Sequence, residues 1–174
     1  MKHPNTPQIN FDRLRLIEEQ RFDIRIAADG RWFHEGNEIR RIELVKLFAS
    51  VLMRDKKGDF WLVTPVEKGR ITVDDAPFMV REMLISSGAD VRSNEIHFRT
   101  NLDDVVYLDL AHPILLRQVD DLQNFRPYIE VRNGLLAKLS RPVYYQLAEY
   151  AEKGPDGRLG FGAKNSFLRL SCNV

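Results

Sequence analysis

At 174 residues the chain is long enough for one generous domain or two small ones, and its 44% apolar and 29% charged residues place it among chains that fold, excluding intrinsic disorder. Lysine plus arginine number 26 against 25 acids, so no field of one sign exists to hold a nucleic-acid backbone or an anionic membrane, and any anion site has to be local. The lone cysteine, Cys172, excludes an internal disulfide and multi-thiolate metal sites; with no signal-peptide run and no stretch near the ~18 apolar residues of a membrane span, the expectation is a cytoplasmic protein.

Asn10 is placed to cap a short helix carrying Leu14, Leu16 and Ile17. Phe22, Ile24 and Ile26 then alternate with Asp23 and Arg25, the pattern of a strand buried on one face; Asp29-Gly30 signals a hairpin, and Arg31 to His34 is its return strand. Residues 41–53 read as a helix in which Glu43, Lys46, Ser50 and Arg54 form one narrow polar stripe, so that it should be covered on more than one side. Lys56-Lys57-Gly58-Asp59 breaks it, and Phe60 to Thr64 reads as a buried strand ending at Pro65.

Strand-like runs follow at Arg70–Asp74, Phe78–Ser86 and Glu95–Thr100, in meander spacing, continued by Val105 to Leu110 and a turn at Ala111-His112-Pro113. Next come a strand at Tyr128–Arg132, the turn Asn133-Gly134 and a strand at Leu135–Leu139. A second helix is expected over 141–152, with Ser140 as cap, Pro142 in the first turn, Gly154-Pro155 as stop, and Val143, Tyr144, Leu147, Ala148 and Ala151 on one face. Gly160-Phe161-Gly162 reads as a turn or bulge, and Phe167–Leu170 as the last strand.

The order strand, Asp29-Gly30, strand, Ile39-x-Arg41, helix, glycine turn, strand recurs as strand, Asn133-Gly134, strand, Leu139-x-Arg141, helix, glycine turn, strand. The reading is an α+β protein of two similar small domains, residues 1–76 and 77–174, an internal duplication in which each half is a β-hairpin or sheet packed on one main helix and the second carries extra strands. Residues 22–64 and 128–170 are expected to superpose.

Gly36, Leu44-Val45-x-Leu47-Phe48-Ala49, Thr64-Pro65-Val66-Glu67-Lys68, Asp75-Ala76-Pro77-Phe78, Arg132-Asn133-Gly134-Leu135 and Arg141-Pro142-x-x-Tyr145 together resemble a bacterial family catalogued as domain of unknown function 1285. The resemblance covers most of the chain. It implies two structurally similar domains, the second superficially like a pleckstrin-homology fold, with a nucleotide-type ligand site at their interface and a role in signalling. It brings no catalytic residues to carry over.

Chemistry-bearing motifs are few. Glu67, Asp74 and Asp75 are an acid cluster able in principle to hold a hard cation or do acid–base work, although acid pairs such as Asp103-Asp104 and Asp120-Asp121 are ordinary in this chain and solvated turns explain them as well. His3, His34, His97 and His112 form no helical metal pair, so neither a tightly bound zinc nor another cofactor is expected, and no nucleophile elbow, Walker loop or dinucleotide fingerprint occurs. Arg41 and Arg141 each stand at a helix start, where a cation opposes the macrodipole by about 0.3–1 kcal/mol and an anion would relieve it. A local carboxylate such as Glu43 or Glu152 would serve as well as a ligand. Trp32, Phe33, Trp61, Tyr144 and Tyr145 offer rings for stacking, or for the core, and Thr64 a hydroxyl at a strand end.

The expected function is therefore non-enzymatic: a nucleotide-like anionic ligand held in an interdomain groove by Arg41, Arg141, Thr64, Glu67 and Tyr145, in signal transduction, with no nucleic acid or membrane partner. The alternatives are a metal-dependent hydrolase using Glu67, Asp74 and Asp75, and a protein-interaction module that recruits a partner at a sheet edge.

Overall fold

The computed structural model describes residues 18–86, 95–118, 124–154, 157–163 and 166–173; the helix expected around 10–17 lies outside them. The chain divides between Asp75 and Ala76 into two units. Both are sheet-rich, with one helix each among the described residues, and neither helix is long and apolar enough to cross a membrane.

In the first unit the period-2 run becomes β1 (Glu19–Ile26), which turns at Gly30 into β2 (Trp32–His34); a second tight turn, Glu35-Gly36, adds β3 (Asn37–Glu38). Helix α1 (Ile42–Ser50) follows, then the meander β4 (Leu52–Arg54), β5 (Phe60–Val63) and β6 (Lys68–Val73). One six-stranded sheet results, in the order β3-β2-β1-β6-β5-β4, with β6 running parallel to β1. Ile24, Ile26, Trp32, Leu52, Leu62 and Ile71 are buried in its core with Val45 and Ala49 of α1, and Trp32 stacks on Phe48 with ring centroids 6.3 Å apart.

Helix α1 is shorter than the apolar run suggests, and it is covered on one side only: Leu47 is 60% exposed. It stops because Ser50 Oγ donates to the Leu47 carbonyl at 2.7 Å while Leu52 and Met53 find partners in Leu62 and Trp61 across β4 and β5. The Asp55 carboxylate organises that hairpin, accepting from the amides of Lys57 and Asp59 at 2.9 Å each and from Trp61 Nε1 at 3.1 Å. Arg54, read from sequence as the end of the helix's polar stripe, is therefore a strand residue.

The second unit is built on β7 (Phe78–Ser86), β8 (Glu95–Thr100), β9 (Val105–Tyr107), β10 (Leu115–Gln118), β11 (Phe125–Arg132), β12 (Leu135–Leu139) and β16 (Ser171–Asn173), in the order β16-β10-β11-β12-β7-β8-β9. Asn133 and Gly134, at φ 46° and 76°, form the left-handed pair that a tight hairpin between β11 and β12 demands. Helix α2 (Arg141–Ala148) ends four residues before the expected 152, because Ala151–Lys153 pairs as β13 with β14 (Leu159–Ala163), which in turn pairs with β15 (Ser166–Arg169). Gly160-Phe161-Gly162 is thus mid-strand and not a turn: Gly160 lies against the Phe167 ring and the Leu168 carbonyl. Of the expected helix face, Val143 and Leu147 are buried and Ala148 is exposed.

Hairpin, helix and three-stranded meander therefore occur in this order in both units. Their sheets are joined differently. The first meander closes onto β1 through β6, whereas β13-β14-β15 forms a sheet of its own and β12 pairs in parallel with β7.

Candidate functional site

The sequence-derived site residues are shared between the units, Arg41, Thr64 and Glu67 in the first and Arg141 and Tyr145 in the second. Arg41 is the N-cap of α1, strongly exposed, with Nε 4.0 Å from Glu43 Oε2, so the local carboxylate considered from sequence is its partner. Arg141 and Tyr145 lie four positions apart, on one side of α2, both exposed, and Tyr144 and Tyr145 hold their rings 6.1 Å apart. Among the described residues Arg141 forms no ion pair.

Thr64 and Glu67 share the turn from β5 to β6. Thr64 Oγ1 accepts from the Glu67 amide at 3.0 Å and faces the Glu67 carbonyl at 3.2 Å, so this hydroxyl is committed to its own turn. Both residues line a cleft of about 360 Å³ whose other walls come from Arg21, Phe22, Asp23 and Ile24 of β1, His34 of β2 and Glu35 after it, Phe48 of α1 and Val51 at its C-cap, and Leu62 of β5. Its cause lies in the β1–β6 register: Arg21 pairs with Arg70 but Arg25 with Thr72, so β1 carries extra residues there and bulges away. Gly69 admits the bulge, since a Cβ at that position would collide with the Phe22 ring.

The acid cluster does not assemble. Glu67 precedes and Asp74 follows β6, a strand of six residues that keeps them about 20 Å apart. Asp74 is instead gripped by Arg25, whose Nη2 lies 2.8 Å from Oδ2 and whose Nε lies 3.0 Å from Oδ1, and that hydrogen bonding holds its carboxyl below the usual range. No grouping of three acids or histidines suited to a metal ion occurs among the described residues.

A feature invisible in the sequence is a row of cations on the large sheet of the second unit. Arg117 of β10 stands directly opposite Arg126 of β11. Two pairs along, Leu115, Tyr128, Lys138 and Met79 are successive neighbours, so Arg117, Arg126, Ser140 and Arg81 share their face two residues on. The Ser140 amide donates to the Val80 carbonyl at 3.2 Å, carrying the β12–β7 register up to the first turn of α2, where Arg141 stands. The Arg117 guanidinium lies 5.2 Å from the Tyr128 ring centroid. Asp120 and Asp121, in the segment joining β10 to β11, lie outside the described residues. Sequence reading missed this row because its members are 45 positions apart in the chain, from 81 to 126, and only strand register brings them into line.

Two family models match the chain: one described as the N-terminal domain of domain of unknown function DUF1285 over residues 17–76, and one described as the C-terminal domain of DUF1285 over residues 77–170. Among curated proteins none matches. A crystal structure of a DUF1285 family protein from Silicibacter pomeroyi DSS-3 is 34% identical, with a TM-score of 0.80, over 98% of this chain and 90% of that one. A second, from Shewanella baltica OS155, is 28% identical with a TM-score of 0.56, over 74% of this chain and 91% of the other.

Proposed function

The chain belongs to the DUF1285 family, and from that premise we propose that it is a non-enzymatic binder of a small anionic, nucleotide-like ligand acting in signal transduction in the cytoplasm. The observation that carries this reading is the row Arg117, Arg126, Ser140 and Arg81 with Arg141 beyond it. A bound anion would add charge-assisted bonds to guanidinium groups that strand register sets side by side. The N-terminal amides of α2 and the absence of a side-chain cap from Ser140 favour the same sign of ligand. A pleckstrin-homology-like role for the second unit belongs to this reading. Tyr145, one helical turn from Arg141, offers an exposed ring for a base to stack on.

Pyrophosphate and ADP are the direct probes. Either should raise the unfolding temperature saturably, by the equivalent of about 2.7 kcal/mol at 100 times its dissociation constant. Arg117→Ala and Arg141→Ala should each weaken binding roughly tenfold or more. Arg41→Ala, in the first unit and already beside Glu43, is the control and should leave binding unaltered. No saturable shift with either probe, or unaltered affinity in both Arg117→Ala and Arg141→Ala, refutes the reading.

A further inference from the structure

The cleft of the first unit is unsuited to an anion. Its floor is apolar, with Phe22, Phe48 and Leu62 among its lining, while Asp23, Glu35 and Glu67 stand at its rim. Against those three carboxylates it presents one guanidinium, Arg21, and the exposed imidazole of His34. Elsewhere in this unit acidic side chains are engaged: Asp29 with Arg31, Asp74 with Arg25, Glu19 with Lys68, and Asp59 with Arg70. Among the described residues none of the three rim carboxylates forms an ion pair. The bulge in β1 and the bare Gly69 beneath Phe22 open the space itself.

We propose that this cleft binds a small organic cation with an apolar body, a primary ammonium carried on an aromatic or aliphatic group. The apolar part fills the floor, where the Phe22 and Phe48 rings also attract a cation, and the ammonium meets the carboxylates at the rim. At about 360 Å³ the space suits a single-ring compound and lies at the small end of ligand sites. The inference is independent of the anion site, which lies in the other unit.

Three probes of one shape and different charge test it: benzylammonium, benzyl alcohol and benzoate, titrated into the full chain and followed by amide NMR. Benzylammonium should shift the amides of Phe22, Asp23, Ile24 and Glu35 saturably, benzyl alcohol should bind about tenfold more weakly, and benzoate should leave those amides unmoved. Glu67→Gln should weaken benzylammonium binding severalfold. That variant keeps the turn, because Thr64 bonds to the backbone of Glu67 and not to its carboxylate. Equal affinity for the alcohol, a preference for benzoate, shifts confined to other residues, or no saturation overturns the proposal. Pyrophosphate added to the same sample reports on the second unit, so the two sites succeed or fail separately.

Discussion

Gly69 shows how one missing side chain shapes a site. Its flank is filled by the Phe22 ring, so Gly69→Ala forces the ring away or the β1–β6 seam apart. We expect a loss of about 1–3 kcal/mol in urea denaturation. The loss should shrink when Phe22→Ala makes room, which a double-mutant cycle will read. Asp74 bears a different responsibility. Hydrogen bonding from Arg25 depresses its carboxyl from the ordinary 3.8, so the stabilisation it gives is fully present above that value and disappears as pH falls through the lower, folded value. Asp74→Asn should therefore be less stable than the parent at neutral pH and should converge with it in acid below pH 3.8, as followed by denaturation across that range.

Among elements, the tight turns are the most instructive. Glu35-Gly36 and Asn133-Gly134 have the same left-handed pair of residues, at φ 49° and 76° in the first and 46° and 76° in the second. Asparagine adopts that conformation at little cost and glutamate at a greater one, which is why the second turn could be read from sequence and the first could not. Glu35→Asn should then stabilise the protein by about 0.5–1 kcal/mol, measurable as a raised denaturation midpoint, and Asn133→Ala should destabilise it by a similar amount. The helices teach the complementary lesson. Their starts were legible, at Ile39-x-Arg41 and at Ser140 with Pro142, because the onset of helical periodicity and a first-turn proline are local signals, although neither N-cap makes a side-chain cap bond. Their ends were not, because Leu52 and Ala151 leave the helix only when a partner strand is available, and no local signal states that.

At the scale of the molecule, alternation along Phe22 to Ile26 and the apolar runs at Phe78 and Leu135 disclosed most strands, and self-similarity disclosed a recurring hairpin, helix and meander. Which strands pair was beyond reach, and with it both the cation row and the cleft, since each depends on register between distant segments. The β1–β6 seam has its own consequence. Glu19 with Lys68 and Arg25 with Asp74 fasten its two ends, and each pair spans 49 positions of chain. Closing so long a loop costs entropy before any contact repays it, so this parallel pairing forms late. During synthesis β1 emerges first and must wait for β6, with one edge unpaired and able to recruit a strand from a neighbouring nascent chain. Arg21, Asp23 and Arg25, alternating along that waiting edge, place charge where such a misdirected pairing would begin.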